Sequence, residues 1–204
     1  MTAIVGPNGA GKTTLLKLLA GLEKPKAGQI CYHGYLTSPR MSYLRQSHNL
    51  DRDFPLSVGE TVFLGTLPNL GLHKSANFEA AQRVRQTLAR VNMLKLAPVA
   101  LSDLSYGQLQ RVFFARFLVE DADVLLLDEP FNFVDESTAK IFVEILQEEK
   151  ARGKTIIVVM HDLEVARQYF ENVLVLSRRL IGWGPTAEIL THELWNEALI
   201  HARS

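Results

Sequence analysis

The chain has 204 residues, enough for a real core when a domain takes about 150, and its 22 acidic residues balance 22 basic ones, so its charge gives no reason to expect a nucleic-acid partner. One cysteine, Cys31, excludes an intrachain disulfide and a cysteine-rich metal site, and suits a reducing compartment. The longest apolar runs, such as Ile156 to Met160, fall far short of the roughly 18 residues of a spanning helix, and no charged segment followed by an apolar stretch opens the chain, which argues against secretion.

The first elements read as strand, glycine loop and helix. Thr2 to Val5 is an apolar strand; Leu15, Leu18, Leu19 and Leu22 recur at helical spacing, and Gly21 and Pro25 end that helix. Between them, Gly6, Pro7, Asn8, Gly9, Ala10, Gly11, Lys12, Thr13 and Thr14 satisfy the P-loop pattern. In that pattern main-chain N–H groups cradle phosphates, the lysine reaches the terminal phosphates and the first threonine ligates Mg²⁺. Glycine stands where a side chain would block the phosphate, and the helix start adds partial positive charge. Average composition yields such a match by chance on the order of once per hundred chains. The flanking strand and helix lower that figure further.

Residues 29–34, Gln-Ile-Cys-Tyr-His-Gly, read as a short strand in which Cys31 and His33 are packing and solvent-facing residues. Met41 to Arg45 reads as another, and the amide of Gln46 at its end can ligate Mg²⁺ or a water, provided the other motifs are present. From Ser57 to about Val91 the pattern is helical, with Ala80, Val84, Leu88 and Val91 on one face and Arg83, Arg85 and Arg90 on a solvated one. Leu104, Ser105, Tyr106, Gly107 and Gln108 open a further helix, whose apolar positions are Leu109, Val112, Phe113 and Phe117. Taken alone, that start is an N-cap by Ser105. Its outward N–H groups also make it a candidate second anion site.

Val124 to Leu127 has the character of a fully buried strand and ends in Asp128 and Glu129. Ligands of open parallel sheets bind at the carboxyl ends of the strands. Asp128 is therefore placed to hold a hydrated Mg²⁺, and Glu129 to orient or deprotonate an attacking water; two solvated acids at a strand exit are the plainer alternative. Asp135 is a natural N-cap for a helix running through Lys150, with Ile141, Ile145 and Leu146 on one face, and a structural and a functional role stand equally open for it. Thr155 to Met160 is a second buried strand, and His161 at its exit shares the sheet edge with Glu129, a position from which it can touch a γ-phosphate. Val173 to Leu176 and Leu180 to Trp183 read as short strands before Pro185 and a helical tail. His192, Trp195 and His201 form no metal-ligand spacing.

In this order the residues resemble the ATP-binding cassette ATPases nearly from end to end. The P-loop Gly6 to Thr14, Gln46 as the Q-loop, Leu104 to Gln108 as the signature, Asp128 and Glu129, Asp135 as the D-loop and His161 as the switch carry the resemblance. It implies an α/β fold: a P-loop NTPase with a RecA-like core of mostly parallel sheet, about residues 1–50 and 120–204, and an inserted helical subdomain, about 51–119, in one cassette. It implies ATP and Mg²⁺, the metal held through Thr13, Gln46 and Asp128, and hydrolysis carried by Glu129, His161, Gln46 and Lys12. It also implies a head-to-tail pair with an identical or different second cassette, in which Ser105, Tyr106, Gly107 and Gln108 of one close on the ATP of the other.

The implied partners are an integral membrane permease and, through it, a solute-binding protein, with the chain on the cytoplasmic face of the membrane and no nucleic acid involved. Phe54 to Gly65 and Gly184 to Leu190 are similar to the manganese, zinc and iron uptake ATPases. A non-transport cassette in a soluble complex and an N-terminally truncated, inactive cassette are the alternative readings. Two departures are mild: Tyr106 stands where the family usually has glycine, and Val134 where the D-loop has leucine. The family also places two strands and an adenine-stacking aromatic ahead of the P-loop, and the sequence begins after them. The expectation is a late start or a truncated gene, nucleotide binding weakened by about 1–3 kcal/mol, and an uncovered sheet edge.

Overall fold

Three short, almost wholly apolar runs set the architecture, because a strand buried on both faces must lie inside a parallel sheet. In the computed structural model, which describes residues 1–35, 38–45, 55–69 and 74–203, six strands form that sheet among the described residues. They are β1 (Thr2–Val5), β2 (Met41–Leu44), β3 (Val124–Asp128), β4 (Thr155–Val159), β5 (Asn172–Ser177) and β6 (Arg179–Pro185). The helices are α1 (Lys12–Leu19), α2 (Val58–Leu64), α3 (Lys74–Arg90), α4 (Tyr106–Val119), α5 (Glu136–Ala151), α6 (Leu163–Tyr169), α7 (Thr186–Ile189) and α8 (His192–Arg203). The chain divides into two units, one of Met1–Gln46, Asp123–Pro130 and Arg152–Ser204, the other of Ser47–Ala122 and Phe131–Ala151.

The first unit holds the sheet, in the order β2-β3-β4-β1-β5-β6. Its first five strands run parallel, and β6 returns antiparallel along β5. Strands distant in sequence thereby become neighbours: Leu126 lies opposite Ile157, and Thr2 opposite both Ile157 and Asn172. Leu16 of α1 packs into a cluster with Ile4, Val124, Leu126 and Val159, which anchors the helix on the sheet directly behind the glycine loop. Leu22, read as part of that buried face, is instead 52% exposed. The cause is the helix end: Gly21 turns to φ 69°, and Gly21 N–H and Leu22 N–H donate to Leu18 O and Lys17 O, which swings Leu22 off the apolar stripe.

Residues 29–34 are not a strand, contrary to the expectation for this short stretch. A strand is completed by its ladder, and among the described residues none pairs with this segment. The Tyr32 hydroxyl instead donates to Leu19 O at 2.9 Å, tying the loop to the end of α1.

In the second unit, α4 is buried nearly all round, through Leu109, Val112, Phe114, Ala115, Phe117, Leu118 and Val119, and a helix of that kind belongs at the centre of a bundle. Phe114 goes fully inside where the spacing pointed to Phe113, and it stacks on Phe142 of α5 with ring centroids 3.9 Å apart. The helical stretch that starts at Ser57 is interrupted: α2 ends at Leu64, and Leu67–Asn69 forms a single tight turn. Ala80, Val84, Leu88 and Val91 are buried as their spacing required.

Arg90 departs from the solvated face assigned to it. Its guanidinium holds Glu148 and Glu149 of α5 at 2.7 Å each, and the Glu149 side chain is only 3% exposed. Arg90→Met removes a cation that a buried carboxylate holds at close range, and we expect a loss of about 3 kcal/mol in urea unfolding. A loss below about 1 kcal/mol would show that the pair contributes little.

Candidate functional site

The sheet order brings three chain exits side by side, since β3, β4 and β1 are consecutive neighbours and end at the same edge. From β1 the chain enters the loop Gly6 to Gly11; from β3 it presents Asp128 and Glu129; from β4 it reaches His161. Two main-chain bonds hold these exits in register: Met160 N–H donates to Ile4 O at 3.1 Å, and Glu129 N–H to Val159 O at 3.0 Å.

The loop is built to leave its amides for a ligand. Ala10 N–H closes a turn onto Pro7 O at 3.2 Å, and the next strand hairpin braces it through Arg178 N–H to Ala10 O at 3.0 Å. Asn8, Gly9 and Thr14 are exposed, whereas Ala10 packs inward. Helices α2, α4 and α6 each have a side chain bonded to their first-turn N–H groups, through Ser57, Ser105 and Asp162. Helix α1 starts at Gly11 with no side-chain cap, which is what an anion at a helix N-terminus requires.

Lys12 is buried and donates to Gly6 O at 2.9 Å and Pro7 O at 3.0 Å. An ammonium has three donors, so two bonds hold it over the loop and one remains for a phosphate oxygen. Burial pushes its pKa below that of an ordinary lysine, while Glu129 and Asp128 pull it back up.

Asp128, also buried, accepts from the Thr13 hydroxyl at 3.2 Å on one oxygen and from the Tyr43 hydroxyl at 3.3 Å on the other. Burial raises the carboxyl pKa, these two bonds and Lys12 lower it, and Glu129 raises it further. The Tyr43 phenol is raised as well, by burial first and then by Asp128. Tyr43 belongs to none of the motifs in the sequence; its signal there is a phenol on a short strand, where the polar tip needs a partner.

Thr13 and Asp128 offer hard oxygen donors to a metal. Among the described residues no group of three or more His, Cys, Asp or Glu side chains could hold one. That combination fits Mg²⁺, which takes one or two protein oxygens and completes its shell from water and phosphate. Gln46, the third ligand expected from the sequence, lies outside the described residues.

Glu129 stands at φ 53°, a conformation costly for a residue with a long side chain and found where surrounding structure imposes it. Its carboxylate bonds His161 Nε2, and His161 is held on the short link between β4 and α6, where Asp162 accepts from Glu164 N–H and Val165 N–H at 2.9 and 3.0 Å. A carboxylate oriented by an imidazole is suited to positioning a water.

Ser105 to Gln108 and Asp135 belong to the second unit, where they form a cluster of their own. Ser105 Oγ accepts from Gln108 N–H at 3.3 Å, and Gln108 Oε1 accepts from Ser105 N–H at 3.0 Å, a reciprocal cap. The hydroxyl proton of Ser105 is not used in that cap. Tyr106 turns its hydroxyl to Gln110 Nε2 at 2.8 Å, along the helix. Asp135 caps α5 by accepting from Thr138 N–H at 2.8 Å, and it also takes the Ser137 and Thr138 hydroxyls. Those bonds, the Ser137 hydroxyl foremost, hold its carboxyl at about 2. A Cβ added to Gly107 would lie 3.3 Å from Asp135 Oδ2, so the Ser105–Gln108 turn and Asp135 adjoin.

The chain is similar to known proteins in both sequence and fold. The sequence profile described as ABC transporter matches residues 1–132. The chain is 40% identical over 196 residues to the manganese transport system ATP-binding protein MntB of Bacillus subtilis, covering 95% of this chain and 78% of that protein. It is 41% identical over 194 residues to the zinc transport system ATP-binding protein TroB of Treponema pallidum, covering 94% and 73%. Among solved structures, a metal-chelate type ABC transporter in an inward-facing conformation matches with a TM-score of 0.82 at 28% identity, over 98% of this chain and 77% of that one. A dimeric ATP-binding cassette in a post-hydrolysis state, bound to ADP and Pi, matches with a TM-score of 0.77 at 26% identity, over 91% and 85%. With its strand exits, glycine loop and paired acids arranged as described, the chain belongs to the ABC transporter family, as an ATP-binding cassette subunit.

Proposed function

We propose that the chain is the ATP-binding and ATP-hydrolysing subunit of an ABC importer for manganese, zinc or iron, free or chelated. It works as one of two cassettes beneath a membrane permease on the cytoplasmic side. The observation that carries the reading is the meeting of Lys12, Thr13, Asp128, Glu129 and His161 at one edge of the sheet.

The triphosphate is bound by the uncapped amides of α1 and by Lys12, whose partly desolvated charge acts strongly on the γ-phosphate oxygens. Thr13 and Asp128 are the residues that hold Mg²⁺, and when bound the metal neutralises charge building on the β- and γ-phosphate oxygens. Glu129 orients the water for in-line attack and accepts its proton, and His161 keeps Glu129 in place and faces the γ-phosphate; water adds to phosphorus as the bond to ADP breaks. Ser105 and Gly107, presented by a second cassette, close the site from the far side. Binding of ATP thus favours the paired state and hydrolysis releases it, and this cycle drives the permease. The relatives named for manganese and zinc transport support the cargo class, since the cassette itself contacts no cargo.

Lys12→Ala tests the whole reading. We expect ATP hydrolysis by the purified chain to fall at least about a hundredfold, and uptake of radiolabelled manganese or zinc by cells carrying the variant to drop to background. Undiminished hydrolysis would overturn the site, and undiminished uptake of both metals the cargo.

A further inference from the structure

An arginine on a largely apolar helix needs a partner, and Arg111 of α4 finds hydroxyls of α5. Its Nε and Nη2 donate to the Thr138 hydroxyl at 2.9 and 2.7 Å, and Nη2 also reaches the Ser137 hydroxyl at 3.3 Å. Thr138 is fully buried. A hydroxyl has one proton to give, and one that accepts from a guanidinium must send its proton elsewhere. The Thr138 hydroxyl sends it to Asp135 Oδ2 at 3.0 Å, and the Ser137 hydroxyl donates to Asp135 Oδ1. The two hydroxyl donors on Asp135 are therefore both oriented by the same cation, and bonds arranged in series from a charged donor strengthen one another. The carboxylate so held has its Oδ2 against Gly107, one turn ahead of Arg111 on α4.

We propose that Arg111 is a positioning residue: through Thr138 and Ser137 it locks Asp135 to the Ser105–Gln108 turn, so that both reach a second cassette as one preset edge. The inference rests on the functional reading above, and it adds a residue that touches neither nucleotide nor water. Lysine cannot replace the fork, because a point charge on a flexible stem does not hold two hydroxyls in fixed directions. Nothing in the network involves the P-loop, so binding of nucleotide to a single chain is left alone.

The test uses the full chain carrying Glu129→Gln, with ATP-driven association followed by analytical ultracentrifugation and ADP affinity by calorimetry. Arg111→Lys and Thr138→Val are expected to weaken association about tenfold while ADP affinity stays within about twofold, and Thr138→Ser, which keeps the hydroxyl, restores most of it. In the chain with Glu129 intact, the same variants lower kcat more than they raise KM. Association equal to the parent in both variants overturns the role of Arg111, as does ADP affinity falling in step with association, which marks general loss of structure. Should Thr138→Val not fold, Arg111→Lys and Thr138→Ser carry the comparison. A Glu129→Gln parent that stays monomeric with ATP sinks the functional reading and this inference together; a parent that pairs, with variants that pair equally, sinks only the second.

Discussion

Glu129→Gln lowers turnover by about 10²–10⁴-fold and leaves nucleotide binding intact, so that with MgATP the chain accumulates as a pair. The carboxylate bonds His161 Nε2 and stands at the exit of β3, while Lys12 and Thr13, the residues proposed to bind phosphate and metal, approach from β1. Glutamine keeps the size of the side chain and a carbonyl for the imidazole, but it cannot take a proton from water. Binding and closure continue, and the step that would reopen the pair does not occur. Phosphate release and gel filtration at saturating MgATP read both halves of the claim. Turnover within about tenfold of the parent would remove Glu129 from the chemistry; a chain that stays monomeric despite slow turnover would contradict the paired mechanism.

The largest effect on folding is expected at Gly6. A Cβ built there would lie 2.0 Å from Leu176 O, a main-chain atom of β5. No side-chain rotation relieves such a clash, and β5 cannot withdraw without breaking its ladder to β1, where Val5 lies opposite Val175. Gly6→Ala therefore costs at least about 3 kcal/mol and lowers the thermal midpoint by several degrees. Because Lys12 bonds Gly6 O, the displaced loop also loses its hold on the ammonium, and ATP affinity falls with stability. Circular dichroism melting and nucleotide titration measure the two. A variant with parental melting and parental affinity would mean that β5 yields at little cost, and that the close approach does not constrain the loop.

Much of the site could be read along the chain because its parts are local. The glycines, Lys12 and Thr13 sit within eight consecutive residues, and the runs Val124–Leu127 and Thr155–Met160 announce buried strands, whose carboxyl ends are where ligands of such sheets bind. Helix starts at Ser57 and Ser105 were legible for the same reason, since a capping box closes over four residues. The misreadings share the opposite cause. Residues 29–34 have the composition of a short strand, yet composition does not supply a ladder partner. In the sequence Arg90 is one cation among several, and only the tertiary fold, which brings it to the last turn of α5, sets it against Glu148 and Glu149. Leu22 had the right spacing and the wrong side of a helix end.

The chemical groups and their order therefore come from local spacing: a phosphate loop, a capped helix, two acids after a strand and a histidine after the next. Their partners do not. Tyr43 meets Asp128 across 85 residues and Arg111 meets Thr138 across 27, and no short-range pattern encodes either pair. Each depends on which strands lie side by side or which helices pack together, and that is decided by burying the apolar faces of the whole chain at once, a condition every residue contributes to and none states alone.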